Sequence, residues 1–261
     1  MRLYQPINMP DREGLIQAGT TMRKGGVSGS VFRSLNLANH VGDEHKAVSR
    51  NRHVLFSQVG LSSSALFYCR QVHSSRVVLV RPNDSISDIF NVEADALISL
   101  QAGLVLAVFT ADCVPIFILD IATPAIGLIH AGWRGTLGRI AERTIQAMHQ
   151  NFGTIPSKCL AYLGPSIQRC CYTVSKALAD RFEEAHDVSV RCSDNRISLQ
   201  DANIQQLNNV GVLSDSISMK ACCTACRTDL FYSHRVEGTR TGRMISFMAL
   251  SRENSGNRIR R

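Results

Sequence analysis

A run of short apolar segments between residues 76 and 130 constrains the fold more than any other feature of this chain. The segments are bounded by Gly, Pro or Asp and are rich in β-branched residues, which is typical of strands. They cover residues 76–81, 96–99, 104–110, 114–120 and 125–130. Several are apolar at successive positions, so we expect both faces of the sheet to be covered.

The rest of the chain mixes helical and strand patterns. Ala141, Ile145 and Met148 recur at helical spacing and predict a helix over roughly 138–150. The patterns further predict a strand at 159–164, a helix near 175–186, a helix with Asp201 as N-cap, and strands near 216–221 and 243–250. Because strands and helices do not alternate strictly, we expect an α+β fold with mixed β-sheets layered with helices.

Length and composition indicate one large folded unit. The chain has 261 residues, of which 44 % are apolar, enough for a sizeable core. We expect a single domain over residues 1–250 and a flexible basic tail at 251–261. The longest apolar stretch, 104–121, is interrupted by Asp112 and Asp120, so no membrane span is expected.

Charge and cysteine content bound the partners and the compartment. The net charge is +8, and the tail supplies +3 of it from four arginines and one glutamate. This excess suits an anionic small substrate such as phosphate, whereas no basic helix points to a nucleic acid partner. The first residues lack the apolar segment of a secretory signal, and the nine cysteines fit no framework, so we expect reduced thiols in the cytoplasm.

Three short motifs offer metal ligands at predicted strand ends or in adjacent loops. They are QVH at 71–73, TADC at 110–113 and HAGW at 130–133. Their residues His73, Cys113 and His130 form a donor set that suits zinc or copper and leaves a position for water or substrate. Packing of a buried thiol and ordinary hydrogen bonding of the histidines explain the same residues from spacing alone.

Five other cysteines have no role that the sequence decides. Cys223 and Cys226 form a single C-x-x-C preceded by Cys222, and Cys170 and Cys171 are adjacent. A lone C-x-x-C is weak evidence for zinc and equally describes a redox pair. Packing in the core or in a pocket wall is the alternative for all five.

Ten pieces of the chain, in order, resemble the YfiH-like family. That family was long labelled multicopper polyphenol oxidases or laccase-domain proteins and is now regarded as purine nucleoside phosphorylases. The pieces are GGVS (25–28), SLNLANHVGDE (34–44), NR (51–52), QVH (71–73), EADALIS (93–99), TADCVPIFILD (110–120), HAGWRGTL (130–137), LGPSIQRCCYTV (163–174), DLFYSHR (229–235) and TGR (241–243).

The resemblance implies a single-domain YfiH/CNF1-like fold and one metal per site. It places the metal, zinc or alternatively copper, on His73, Cys113 and His130. It also implies purine nucleosides and inorganic phosphate as substrates. The implied reactions are phosphorolysis of adenosine, inosine, guanosine and methylthioadenosine, with deamination of adenosine beside it.

The remaining site predictions follow from this chemistry. Arginine binds phosphate through paired hydrogen bonds, and the candidates are Arg134, Arg235 and Arg243. Deamination needs a carboxylate to move protons, and Asp112 is the carboxylate nearest in sequence to a ligand.

Three further residues are predicted to contact substrate. Trp133, the only tryptophan, could stack on the base or pack in the core. Asn36 and Gln71 could bond the ribose or the base, although turn stabilisation also explains Asn36.

Two departures from the family pattern concern the substrate contacts. The family usually has Tyr-Arg-Arg after the serine of the late motif, whereas this chain has Ser233 followed by His234, Arg235 and Val236. The usual acidic residue after CCY is Thr173.

Other functions stay open at this stage. They are a copper-dependent polyphenol oxidase, a cell-wall precursor editing amidase, and a binding module with a structural metal. An oxidase trinuclear cluster needs many histidines, and the chain has eight with no H-x-H pair. We expect a monomer or a weak homo-oligomer.

Overall fold

Two β-sheets form the centre of the protein. The computed structural model describes residues 2–9, 14–186 and 190–251. Within these ranges the strands are β1 Tyr4–Pro6, β2 Ile16–Thr21, β3 Leu66–Phe67, β4 Val77–Leu79, β5 Ala96–Ser99, β6 Val105–Thr110, β7 Val114–Asp120, β8 Ala125–Ala131, β9 Cys159–Leu163, β10 Ile217–Met219 and β11 Met244–Leu250. The helices are α1 His45–Val59, α2 Ile86–Phe90, α3 Trp133–Leu137, α4 Ile140–Phe152, α5 Lys176–Ala185, α6 Leu199–Asn209 and α7 His234–Glu237.

Both sheets are mixed. The five-stranded sheet has the order β1-β2-β11-β6-β3, and the six-stranded sheet has the order β10-β9-β7-β8-β5-β4. Most neighbours are antiparallel, but β3 and β6, β4 and β5, and β9 and β10 run parallel. The predicted α+β fold with mixed sheets is therefore confirmed.

The central strands are apolar at successive positions because alternate side chains pack on opposite faces of each sheet, and both faces are covered. Leu106 of β6 and Phe117 of β7 face each other's sheet and fill a common core. Ile116 of β7 packs on the other side, with the apolar face of α4. Phe109 of β6 packs with α1 on the opposite outer face. The layers are thus helix, sheet, sheet, helix, and β6, β7 and β8 are buried at every position.

The structure corrects one predicted helix start and adds a short helix before another predicted helix. The prediction of Asp201 as an N-cap is wrong, because the hydroxyl of Ser198 caps α6 and accepts from the backbone nitrogen of Asp201 at 3.1 Å. The helix expected at 138–150 is preceded by the separate short helix α3. Arg139, with φ of 60°, lies in the left-handed region between them and breaks the helical path.

The chain end is described only in part. Ser251 donates from its backbone nitrogen to the carbonyl of Leu15 at 2.8 Å and from its hydroxyl to the carbonyl of Gly14. The rest of the predicted tail, residues 252–261, lies outside the described residues. No helix in the described ranges is both long and apolar enough to cross a bilayer.

Candidate metal centre and its cavity

Strand pairing brings the three predicted metal ligands together. β7 and β8 are antiparallel and pair Val114 with Ala131, so Cys113, just before β7, lies beside the end of β8 that carries His130. His73 comes from the loop before β4. The sulfur of Cys113 lies 3.9 Å from Nε2 of His73, and the donor atoms of all three residues lie within 4.8 Å of one another. This donor set fits a zinc ion and leaves a fourth position open.

Asp95 organises two of these ligands and was not predicted, although it stands inside the piece at 93–99 that carries the family resemblance. Its buried carboxylate accepts from Nδ1 of His130 at 2.9 Å and from the backbone nitrogen of His73 at 3.0 Å. The same carboxylate accepts from the backbone nitrogen of Ser74 at 2.6 Å and from its hydroxyl at 2.8 Å. A carboxylate on the second ring nitrogen fixes the orientation of a ligating histidine and leaves the other nitrogen for the metal.

A glycine leaves the space that the ligands occupy. A Cβ atom at Gly132 would lie 2.7 Å from Cδ2 of His73 and 3.0 Å from the sulfur of Cys113. The first separation would force the imidazole or the backbone to move, and the second is a tight contact. The absence of a side chain at Gly132 is therefore a condition for this arrangement of ligands.

The electrostatics of the cluster favour a thiolate. Burial alone would raise the pKa of Cys113, but the imidazoles of His130 and then His73 outweigh it and lower that pKa to about 6. Burial would likewise lower the pKa of His130, yet Cys113 and Asp95 raise it to about 9. The thiolate form is the one that binds metals. The site therefore offers a metal ion one charged sulfur and two imidazoles as ligands.

One of the ligands, His73, and Asp112 next to the ligand Cys113 have unusual backbone conformations. His73 has φ of 60° and Asp112 has φ of 95°, a region that costs energy for residues other than glycine. The bonds to Asp95 hold His73 in place. Asp112 is held through its own carboxylate, which accepts from the hydroxyl of Thr224 at 2.6 Å and from the backbone nitrogen of Arg235 at 2.7 Å.

A cavity of about 620 Å³ opens onto the three ligands. Its size lies within the range of small-molecule sites. Among the predicted catalytic and substrate-binding residues, its lining includes Gln71, Asp112, Trp133, Arg134, Arg235 and Arg243.

The amide of Gln71 is already engaged by the backbone. Its nitrogen donates to the carbonyl of Phe109 at 2.9 Å and its oxygen accepts from the nitrogen of Phe109 at 2.7 Å. Gln71 therefore joins the loop before His73 to the end of β6.

The structure does not place Asn36 in the cavity lining. Asn36 is fully buried, and its oxygen accepts from the backbone nitrogens of Ala38 at 3.2 Å and Arg243 at 2.9 Å. Its amide nitrogen donates to the carboxylate of Asp43 at 2.8 Å. Asn36 thus holds in place the backbone of Arg243, which lines the cavity.

The three predicted arginines reach the cavity from different segments. Arg134 is in α3, with its guanidinium 4.5 Å from the ring centre of Trp133. Arg235 is in α7 and lies 4.9 Å over the ring of Tyr172. Arg243, just before β11, donates to the carbonyls of residues 241 and 242 at 2.7 and 3.0 Å. Three fixed positive charges in one cavity suit an anionic ligand.

Three cavity residues with polar side chains were not predicted from the sequence: His40, Tyr172 and His234. Burial, followed by the charges of Arg243 and Arg52, lowers the pKa of His40, which favours its neutral form. His40 and Tyr172 stand inside pieces that carry the family resemblance, and that position was the available signal. His234 occupies one of the positions where this chain departs from the family pattern.

Comparison with known proteins agrees with this fold. A purine nucleoside phosphorylase, YlmD, of Bacillus subtilis strain 168 is 32 % identical in an alignment of 245 residues that covers 89 % of this chain and 88 % of that protein. A protein named adenosine deaminase RL5, from an unknown prokaryotic organism, is 34 % identical and covers 90 % of this chain and 93 % of its own. The crystal structure of YlmD from Geobacillus stearothermophilus superposes with a TM-score of 0.88 at 32 % identity, covering 96 % of this chain and 97 % of that one.

The fold and the ligand cluster thus define a single-domain α+β protein with a candidate metal centre. Residues 17–251 match the family model described as multi-copper polyphenol oxidoreductase laccase, and the chain belongs to that family. The crystal structure of Bacillus licheniformis YfiH has a TM-score of 0.87 at 29 % identity and covers 96 % of this chain and all of its own. The resemblance to YfiH-like proteins is confirmed.

Proposed function

We propose that this chain is a zinc-dependent purine nucleoside phosphorylase with adenosine deaminase side activity. One observation carries the proposal: a single cavity is bounded by the His73, Cys113 and His130 donors and also by three arginines. Phosphorolysis needs an anion and a nucleoside held side by side. The names of the relatives support the same reaction class.

The arginines are the proposed phosphate site. Arg134, Arg235 and Arg243 supply planar donors that can each form two parallel bonds to phosphate oxygens. Phosphate held there would meet C1′ of the ribose, while the purine leaves with its bonding electron pair. We assign adenosine, inosine, guanosine and methylthioadenosine as the nucleosides, because they share the purine and differ only at its edge or at the 5′ position.

The base is assigned to the aromatic part of the lining. Trp133 and Tyr172 both line the cavity, and each already stacks against an arginine. An aromatic face can hold a purine ring without selecting its substituents. This explains how one site would accept several purine nucleosides.

Zinc, when held by His73, Cys113 and His130, supplies Lewis-acid polarisation of an oxygen of substrate or water. Asp112 is the carboxylate in the cavity lining, and we assign it the proton transfers of deamination. Both of its oxygens already accept hydrogen bonds, from the hydroxyl of Thr224 and the backbone nitrogen of Arg235, and these bonds fix the carboxylate at the edge of the cavity. The catalytic set is therefore Asp112 with the three ligands.

A copper-dependent polyphenol oxidase is the second candidate, because the description of the family model names that activity. A blue multicopper oxidase needs a histidine-rich trinuclear cluster in addition to a mononuclear site. Among the described residues, the two groups of metal-donor side chains contain only two histidines between them. The donor sets therefore favour the phosphorylase.

The proposal includes a cytoplasmic location, no nucleic acid partner, and a monomer or weak homo-oligomer. All nine cysteines are free thiols, which supports a reducing compartment.

Incubation of the purified protein with inosine and phosphate tests the proposal. We expect hypoxanthine and ribose 1-phosphate, no product when phosphate is omitted, and loss of turnover after chelation with recovery on added zinc. Adenosine should give adenine with phosphate and inosine without it. Phenol oxidation that depends on added copper, without phosphorolysis, would establish the oxidase instead. Release of an amino acid from cell-wall precursor peptides, or no turnover at all, would equally overturn the phosphorylase.

A further inference from the structure

The two cysteine pairs that the sequence left unassigned meet in space. Cys170 and Cys171 follow β9, and Cys223 and Cys226 follow β10. Their four sulfur atoms lie within 4.8 Å of one another. The sulfur of Cys226 lies 3.3 Å from that of Cys171 and 3.7 Å from that of Cys170.

These separations match a shared cation better than disulfides. Zinc bonded tetrahedrally to four sulfurs at about 2.3 Å places the sulfurs about 3.8 Å apart. A disulfide requires about 2.05 Å between sulfurs, and all four cysteines are free. Four thiolate donors are also the ligand set of closed structural zinc sites.

The surrounding backbone supports ligation. The backbone nitrogen of Gln168 donates to the sulfur of Cys223 at 3.4 Å, which fixes the position of that sulfur. Ser166 and Cys223 form an isolated parallel bridge that joins the two loops next to the cluster. The two loops are thus paired with each other next to the sulfurs.

We propose that Cys170, Cys171, Cys223 and Cys226 bind a second zinc ion, in a structural site separate from the His73, Cys113 and His130 centre. The cluster lies at the protein surface, with Cys170 and Cys226 exposed and Cys223 buried. An ion can therefore enter from solvent. With all four positions filled by sulfur, it has no place for a substrate.

This zinc would fix the wall of the cavity. Tyr172, next to Cys171, lines the cavity. Thr224, next to Cys223, donates to the carboxylate of Asp112. The ion therefore ties together two loops that both reach the candidate active site, and its removal should loosen the loops without removing any catalytic group.

Metal analysis of the purified full chain tests the proposal. We expect about two zinc ions per chain in the wild type and about one in Cys223→Ser/Cys226→Ser, because each site holds one ion. Cys222→Ser is the matched control, since Cys222 adjoins the cluster without belonging to it, and it should keep both ions. A folded double variant with the same zinc content as Cys222→Ser would overturn the site.

A second measurement decides the question if the double variant does not fold. In a His73→Ala/Cys113→Ser chain only the four-cysteine site should retain zinc, and X-ray absorption should give four sulfur neighbours at about 2.3 Å. Thiol titration of this variant after denaturation and chelation, without reductant, should then detect all eight remaining cysteines as free thiols. Fewer sulfur neighbours, or missing thiols that signal disulfides, would exclude the zinc site.

Discussion

The carboxylate of Asp95 lies 2.9 Å from Nδ1 of His130, and the backbone nitrogen of His130 donates to the carbonyl of Asp95 at 2.7 Å. The two residues face each other on β8 and just before β5, which are neighbouring antiparallel strands. Asp95 also accepts from the backbone of His73. One buried carboxylate therefore sets the orientation of two metal ligands that are distant in the sequence.

Asp95→Asn should weaken zinc binding at this centre by about 10- to 100-fold, the usual cost of losing a carboxylate behind a ligating histidine. The asparagine has one acceptor oxygen, whereas Asp95 receives bonds on both. Competition with a chromophoric chelator measures the affinity. Asp215→Asn, an exposed substitution, is the control and should leave the affinity unchanged. Equal affinities in the two variants would remove Asp95 from the site.

Gly132→Ala should also weaken zinc binding, for a steric reason. The new methyl group would lie 2.7 Å from the ring of His73, so the imidazole or the backbone must move. Gly29→Ala is the control, because a Cβ there meets nothing within 4 Å. Zinc titration of both variants, with circular dichroism to verify folding, checks the prediction. Wild-type affinity in Gly132→Ala would mean that the ligands tolerate the displacement.

The sequence predicted the strands around the site well, because their signal is local. Short apolar β-branched runs bounded by turn residues mark strands wherever they occur. β5 and β7 match their predicted bounds, and β6 and β8 differ by a single residue. The ligands His73, Cys113 and His130 stand at the ends of such runs or in adjacent loops. These ligands come together because the strands beside them are neighbours in one sheet.

The parts that escaped prediction depend on distant contacts. Nothing near Asp95 in the sequence indicates that its carboxylate meets a histidine 35 residues away. Asn36 was predicted to contact substrate. It is instead fully buried, and its amide oxygen accepts a hydrogen bond from the backbone nitrogen of Arg243. The cysteines at 170–171 and 223–226 form a cluster because β9 and β10 are parallel neighbours, and no local pattern in the sequence predicts that pairing or its register.

Arg243→Gln should raise the KM for phosphate by about 10- to 100-fold, the equivalent of one charged hydrogen bond of about 1.5–3 kcal/mol. Its guanidinium donates to the carbonyls of residues 241 and 242, so in the wild type the positive charge is held at one position in the cavity. Arg81→Gln, an exposed change outside the cavity lining, is the control. Steady-state rates at varied phosphate and saturating inosine measure the effect. An unchanged KM for phosphate would assign Arg243 to another role.

The segment from α7 to β11, which carries Arg235 and Arg243, is held by Glu237. The carboxylate of Glu237 accepts from Arg23 at 2.7 Å, from the hydroxyl of Thr241 at 2.7 Å and from the backbone nitrogen of Ser233 at 3.1 Å. Burial would raise the pKa of Glu237, but these donors outweigh it and lower the pKa from 4.5. The ionised form therefore stabilises the fold.

Glu237→Gln should reduce the free energy of unfolding at pH 7 by about 1.5–3 kcal/mol, because charged hydrogen bonds become neutral ones. A carboxyl whose pKa is lowered in the folded state stabilises it above the unfolded value, and this stabilisation is lost as the pH falls through the folded value. The difference in free energy of unfolding between wild type and variant should therefore be constant above about pH 5.5 and shrink below about pH 4.5. Urea denaturation across this range measures the difference.

The control is Glu93→Gln, which breaks an exposed ion pair with Arg70 and should lower the free energy of unfolding by less than about 1 kcal/mol. A difference for Glu237→Gln that does not change with pH would show that the carboxylate charge is not what holds this segment.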